Sequence, residues 1–198
     1  MILNIGVFQY KMRDETPFKK IQRLENHLKK NNTLDLIVCP ELFLSGYGSH
    51  KKIKEFAEVK DGEYAIKISL LAKKYATAIL YGYPEIEKDS LFNSAQLFSS
   101  TGQSLINHRK QLLPPTAKES TIFNRGNNDS IINFKGIKIA VVICYELEFP
   151  ELIRRTALEG VKLILAPTAQ SSHWPAAARH ISRSRAFENG IFVVYANY

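Results

Sequence analysis

The sequence predicts an α/β fold with mixed β-sheet. Strand-like apolar runs alternate with helical patterns in the first and last thirds of the chain, which favours parallel strands covered by helices. In the middle of the chain, pairs of apolar stretches are joined by short turns, as in antiparallel hairpins. We find no internal repeat and no linker in the 198 residues, so we expect one domain over 1–198.

The first third is predicted to alternate between strands and helices. Buried strands are expected at 2–8, 34–40 and 78–84, and helices at 16–32 and 63–76. Apolar side chains that recur every three or four residues indicate the helices, namely Phe18, Ile21, Leu24 and Leu28 in the first and Ile66, Leu70 and Tyr75 in the second.

The remainder is predicted to contain two hairpins followed by further alternation. One hairpin spans 93–110 and turns at a Ser-Thr-Gly sequence, and the other spans 130–144 and turns around Lys135 and Gly136. A helix over about 149–159, a strand at 161–167, a helix over 175–189 and a last strand at 191–197 complete the order.

Composition and charge exclude several classes of protein. Apolar residues make up 45% of the chain and charged residues 23%, as in globular proteins. The net charge is +8, but the lysines are mixed with acidic residues and form no basic stripe, so we expect no nucleic-acid partner. We see no signal-like N-terminus and no apolar run of about 20 residues, which predicts a cytoplasmic protein without a membrane partner. Two cysteines without a Cys-x-x-Cys companion indicate no disulfide framework and no metal site.

Three polar residues follow predicted buried strands. Glu41 follows "LDLIVCP", Lys110 follows "QSLINHR", and Cys144 follows "IKIAVVI". Singly, they have ordinary interpretations as a turn carboxylate, a surface lysine and a small core residue. Together they supply acyl-transfer chemistry, because a lysine ammonium lowers a thiol pKa or holds an oxyanion while a carboxylate carries the proton. None of the five histidines has an evident pairing with Cys144, so a Cys-His arrangement is less favoured.

Three motifs in a fixed order carry a family resemblance. The segments "CPELFLSGY" (39–47), "HRKQLLP" (108–114) and "VVICYELEFPEL" (141–152) resemble the nitrilase superfamily of carbon–nitrogen hydrolases. The chain looks most similar to its 5-aminopentanamidase and aliphatic or R-selective amidase branch. The resemblance implies a nitrilase-like α-β-β-α sandwich with mixed sheets. Relatives normally continue past the position of Tyr198, so we expect a C-terminally truncated domain with its C-terminal strands missing.

The resemblance also implies roles for particular residues. Glu41 resembles the general base, Lys110 the oxyanion-stabilising lysine, Cys144 the nucleophile, and Glu119 a second carboxylate that positions substrate. The further candidates are the backbone N–H of Tyr145 as a second oxyanion donor, and Thr168 and Ala169 as residues that line the pocket.

The expected function is hydrolysis of a small linear carboxamide to carboxylate and ammonia through a cysteine thioester, with no cofactor. The expected partners are the small amide and, for a full-length chain, further copies in a homo-oligomer. Two alternatives stay open. One is that the chain is an inactive truncated member or fragment that binds small amides or a partner chain without turning them over. The other is that it is a nitrilase or N-carbamoyl amine hydrolase with the same three residues.

Overall fold

Two mixed β-sheets lie face to face in the computed structural model, which describes residues 2–48, 50–115, 119–127 and 130–198. The first sheet has five strands in sequential order and the second has four, also in sequential order. Sequential order with mixed pairing is what alternating helices and hairpins produce. The predicted α-β-β-α architecture is therefore the architecture of the described chain.

The first sheet changes from parallel to antiparallel pairing at its middle strand. Strands β1, β2 and β3 pair in parallel, and β3, β4 and β5 pair antiparallel. Their bounds are β1 Ile5–Val7, β2 Leu36–Val38, β3 Ala78–Glu87, β4 Ser90–Phe98 and β5 Ser104–Arg109. The predicted strands at 2–8 and 34–40 are thus shorter than expected, because only three residues of each find a ladder partner.

The second sheet has the reverse arrangement. An antiparallel pair, β6 and β7, is followed by parallel strands β8 and β9. Their bounds are β6 Ile131–Phe134, β7 Ile137–Val141, β8 Leu163–Pro167 and β9 Phe192–Ala196. Both predicted hairpins are confirmed, since β4 pairs with β5 and β6 pairs with β7.

Five helices connect or cover the strands in the described residues, namely α1 Pro17–Lys30, α2 His50–Glu55, α3 Glu63–Lys74, α4 Pro150–Leu158 and α5 Ser182–Asn189. The side chain of Thr16 caps α1 by accepting a hydrogen bond from the N–H of Lys19, and Pro17 begins the helix where its missing N–H is not needed. A π-helical turn, Ala177–Ile181, leads into α5. No helix within the described ranges combines the length and apolar character needed to span a bilayer.

Successive side chains along each strand pack alternately into different hydrophobic cores. Leu36 and Val38 of β2 face the second sheet, whereas Ile37 between them faces α1 and α3. In the second sheet Val141 contributes to the layer between the sheets, and Ala140 packs in the outer cluster with α4. The period-2 alternation explains how strands with continuous apolar sequence are buried on both faces.

The apolar spacing that predicted helix α3 does not mark the face that the helix buries. Ile66 and Leu70 are 55% and 59% exposed, whereas the helix buries Ala65, Ile68, Leu71 and Ala72. The sequence offers two apolar stripes at helical spacing, and the orientation of the helix on the sheet selects the stripe with smaller residues. Phe18 of α1 is likewise 43% exposed and packs edge-on against Tyr64 of α3.

Candidate active site

Three strands, β2 and β5 of the first sheet and β7 of the second, deliver polar side chains to one end of the layer between the sheets. On β5, Ile106 and His108 point inward, and the same alternation turns Lys110 inward just past the end of the strand. Glu41 lies three residues beyond Val38 of β2, and Cys144 lies three beyond Val141 of β7. Glu41 and Lys110 are both fully buried, so a surface position for this lysine is excluded.

Lys110 joins two carboxylates. Its Nζ lies 2.7 Å from Oε1 of Glu41 and 2.9 Å from Oε1 of Glu119. The side chains of these three residues are at most 3% exposed. Burial lowers the pKa of Lys110, but Glu41, Cys144 and Glu119 raise it more, so its pKa lies above the usual value and the ammonium keeps its charge.

Two further residues hold the carboxylates, and sequence reasoning gave neither of them this role. Asn93 of β4 donates through Nδ2 to Oε1 of Glu41 at 2.8 Å and to Oε2 of Glu119 at 3.4 Å. The Tyr47 hydroxyl donates to Oε1 of Glu119 at 2.6 Å. A signal for Asn93 exists in the sequence, because it shares the inward face of β4 with the core residues Ala95 and Leu97. A buried amide on a core face needs polar partners.

Cys144 begins a 3-10 turn, Cys144–Glu148, and has a left-handed backbone conformation with φ 49°. A positive φ is uncommon for a residue with a Cβ, and such conformations cluster at functional sites. The thiol donates to Oε1 of Gln170 at 3.7 Å, and its sulfur accepts from the backbone N–H of Ala169. The turn thus presents the sulfur to the space beyond β8.

The pKa of the Cys144 thiol is raised in the folded protein. Burial raises its pKa well above the usual value, Glu41 raises it further, and the lowering by Lys110 does not offset them. The expectation that a lysine would lower the thiol pKa is therefore correct in sign but not in net effect. Burial also raises the pKa of Glu41, against the lowering by Lys110. A thiol that attacks a carbonyl must lose its proton, and Glu41 is the carboxylate whose charge acts on this thiol.

A second buried network ties the Cys144 turn to the Lys110 segment. The carboxylate of Glu146 accepts from Nε2 of His108 at 2.8 Å, from the N–H of Gln111 at 2.7 Å and from the N–H of Ile143 at 2.5 Å. Burial raises the pKa of Glu146, but His108 and the two N–H groups lower it more. His108 is thus engaged by Glu146 rather than by Cys144.

A pocket of about 570 Å³ opens over Cys144. Its volume suits a small-molecule ligand. Ala169 lines this pocket, whereas the Thr168 hydroxyl turns back to the carbonyl of Ala166 at 3.0 Å, and the Thr168 carbonyl accepts from the N–H of Glu41 at 3.3 Å. The other lining residues are aromatic, polar or proline side chains, namely Tyr47, Pro114, Pro115, Tyr145, Glu148, Gln170, Ser171 and Trp174.

Comparison with known proteins agrees with this architecture. Residues 4–198 match the family model described as carbon-nitrogen hydrolase. A "Hydrolase in pqqF 5'region" of Pseudomonas protegens is 39% identical over 99% of the chain and 70% of its own length. An (R)-stereoselective amidase of Pseudomonas sp. is 27% identical over 82% of the chain, which spans 58% of that amidase.

A solved structure has the same fold. It is a mutant of the amidase from Nesterenkonia sp. AN1 with acrylamide added at the active-site cysteine, and it superposes with a TM-score of 0.85 over 99% of the chain and 78% of its own length at 23% identity. The family match covers nearly the whole sequence, and the fold agrees with it. The chain belongs to the carbon–nitrogen hydrolase family.

Proposed function

We propose that the chain hydrolyses a small linear carboxamide to a carboxylate and ammonia through a thioester on Cys144. The observation that carries this proposal is the buried contact of Lys110 with Glu41 and Glu119 beside a thiol that lines a pocket. A nucleophile, a base and a fixed cation are the groups that acyl transfer requires.

Acylation begins with a protonated thiol. As Sγ of Cys144 attacks the amide carbonyl carbon, Glu41 takes the thiol proton, and the carbonyl oxygen becomes an oxyanion. The Lys110 ammonium and the backbone N–H of Tyr145 stabilise that oxyanion. Glu41 then passes its proton to the amide nitrogen, the carbon–nitrogen bond breaks, and ammonia leaves behind a thioester.

Deacylation uses the same groups in the opposite order. Glu41 removes a proton from water as the water oxygen attacks the thioester carbon, and Lys110 again faces the developing negative charge. Collapse of the intermediate breaks the carbon–sulfur bond, and the sulfur recovers its proton from Glu41. Glu119 holds Lys110 in place by accepting from its Nζ at 2.9 Å, and the Tyr47 hydroxyl holds Glu119 by donating to it at 2.6 Å.

The test combines ammonia release with intact-protein mass spectrometry. The purified chain is mixed with linear amides of four to six carbons, and we expect ammonia release together with an acyl adduct on Cys144. Cys144→Ala is expected to abolish both. Cys39→Ala is the matched control, because Cys39 is fully buried, burial raises its pKa, and it has no part in the mechanism.

Other substrates separate the alternatives. Parallel reactions with the corresponding nitriles and N-carbamoyl amines distinguish an amidase from a nitrilase or a carbamoyl hydrolase. Absence of ammonia and adduct across the panel, with amide binding retained, would favour the non-catalytic binder. Ammonia release that survives Cys144→Ala would contradict the thioester mechanism.

A further inference from the structure

We propose that Asn93 is a positioning residue that holds Glu41 in its carboxylate form and directs one of its oxygens to the reacting atoms. This inference deepens the proposed amide hydrolysis and rests on it. It assigns a role to a side chain that the three motifs of the sequence do not include.

Asn93 lies at the centre of the polar cluster formed by Glu41, Lys110 and Glu119. Its side-chain Nδ2 donates to both carboxylates, at 2.8 Å to Glu41 and at 3.4 Å to Glu119. Its backbone carbonyl accepts from the N–H of Lys110 at 2.8 Å. One fully buried residue of β4 therefore contacts the base, the second carboxylate and the lysine segment.

These contacts occupy one oxygen of Glu41, Oε1, and leave the other, Oε2, available for proton transfer. Asn93 and Lys110 both engage Oε1 of Glu41, whereas Oε2 is buried and accepts no hydrogen bond from any described residue. The side-chain amide oxygen of Asn93, Oδ1, is also buried and without a hydrogen bond within the described ranges. A buried acceptor in that state is stabilised by an incoming donor, and a thiol, a water or a substrate N–H group is such a donor.

The amide donor also favours the ionised base. Burial raises the pKa of Glu41, and among the groups that lower it is the hydrogen bond from Asn93. Loss of that bond raises the pKa further, because a neutral carboxylic acid gains less from a donor than a carboxylate does. The titratable groups that face Glu41 from the surrounding elements are Lys110, Glu119, Cys144, Tyr47, Tyr195 and Tyr198.

The experiment compares the pH profiles of kcat/KM for the wild type and for Asn93→Leu. Glu41 must be ionised to act as a base, so kcat/KM falls on the acid side as Glu41 gains a proton. We expect the acid limb of Asn93→Leu to move upward by about one pH unit, from the loss of one hydrogen bond to a charged group. We also expect kcat to fall by about 10-fold with a smaller change in KM, since Asn93 acts on the base and not on substrate binding.

Gln96→Met is the matched control. Gln96 is a buried amide on the same strand, but it accepts from the Tyr81 hydroxyl at 2.8 Å and donates to Ser104 at 3.1 Å. It makes no contact with the polar cluster, so its substitution is expected to leave the acid limb in place. If Asn93→Leu does not fold, Asn93→Ser, which is too short to reach both carboxylates, is measured in the same way.

A second readout does not require turnover. The rate at which iodoacetamide alkylates Cys144 is measured against pH in a Cys39→Ala background, and its profile is expected to shift in the same direction in Asn93→Leu. An even loss of kcat/KM at all pH values, with both profiles unmoved, would show that Asn93 is merely structural. A shift of the same size in Gln96→Met would also overturn the inference. A wild-type chain that releases no ammonia counts against the proposed function alone, because the alkylation profile still tests Asn93.

Discussion

Replacement of Glu146 by alanine is expected to lower the free energy of unfolding by about 3–5 kcal/mol. The substitution removes one carboxylate that serves three donors, the N–H groups of Ile143 and Gln111 and the imidazole of His108. Each donor left unpaired costs about 1–3 kcal/mol, so three donors near the lower end of that range give a total of about 3–5 kcal/mol. That is a large part of the usual stability of a domain, about 5–15 kcal/mol.

Urea unfolding followed by circular dichroism measures this effect, and thermal unfolding provides a check. At about 2–4 °C per kcal/mol for a chain of this size, Tm is expected to fall by roughly 6–20 °C. Glu148→Ala is the matched control on the same 3-10 turn. Its carboxylate accepts no hydrogen bond from a described residue, and we expect a change of at most about 0.5 kcal/mol. Equal destabilisation by the two substitutions would refute the reasoning.

The pH dependence gives an independent test of the same contacts. The pKa of Glu146 is lowered in the folded protein, so its contribution to stability is fully present above the unfolded-state pKa of about 4.3 and is lost as pH falls through the folded-state pKa. Glu146→Gln cannot titrate. The difference in unfolding free energy between the wild type and Glu146→Gln should therefore narrow below about pH 4. A constant difference down to pH 2 would contradict the assignment of the charge.

Three further substitutions test the site. Lys110→Met is expected to lower kcat by about 100- to 1,000-fold, as for loss of an oxyanion donor, and a smaller loss in single-turnover assays would exclude that role. Glu148→Gln is expected to lower the ratio of kcat/KM for 5-aminopentanamide to kcat/KM for hexanamide by roughly two- to fivefold, because a partly buried carboxylate in the pocket wall pairs weakly with an ammonium. An unchanged ratio would place the substrate tail elsewhere. Gly82→Ala is expected to lower activity at least about 10-fold, because the added Cβ would lie 2.5 Å from the backbone nitrogen of Leu42, next to Glu41. Full activity would show that the backbone at Leu42 moves without displacing Glu41.

The three residues proposed for catalysis could be predicted because each follows a predicted strand. A strand that ends in a polar residue leaves that residue at an edge of the sheet, and inward alternation on β5 brings Lys110 to the same layer as Ile106 and His108. Their mutual distances could not be predicted. Those distances depend on the packing of two sheets whose strands are far apart in the chain.

The apolar faces of the helices show the limit of local patterns. In α3 the spacing of Ile66 and Leu70 is as helical as that of Ile68 and Leu71, but only the second pair is buried. Periodicity defines the stripes that a helix can bury, and it contains no information about which stripe meets the sheet. Contact with β3 and with α1 decides between them.

The sequence by itself determined the α/β class, the two hairpins and the residues that follow the buried strands, because these depend on side-chain periodicity and turn residues close together in the chain. Only the tertiary structure decided that Asn93 contacts Glu41 from 52 residues away, and that Glu146 joins the Cys144 turn to the segment around Lys110. These contacts are hydrogen bonds between buried polar groups. Their partners are selected by the geometry of two packed sheets, which no local pattern records.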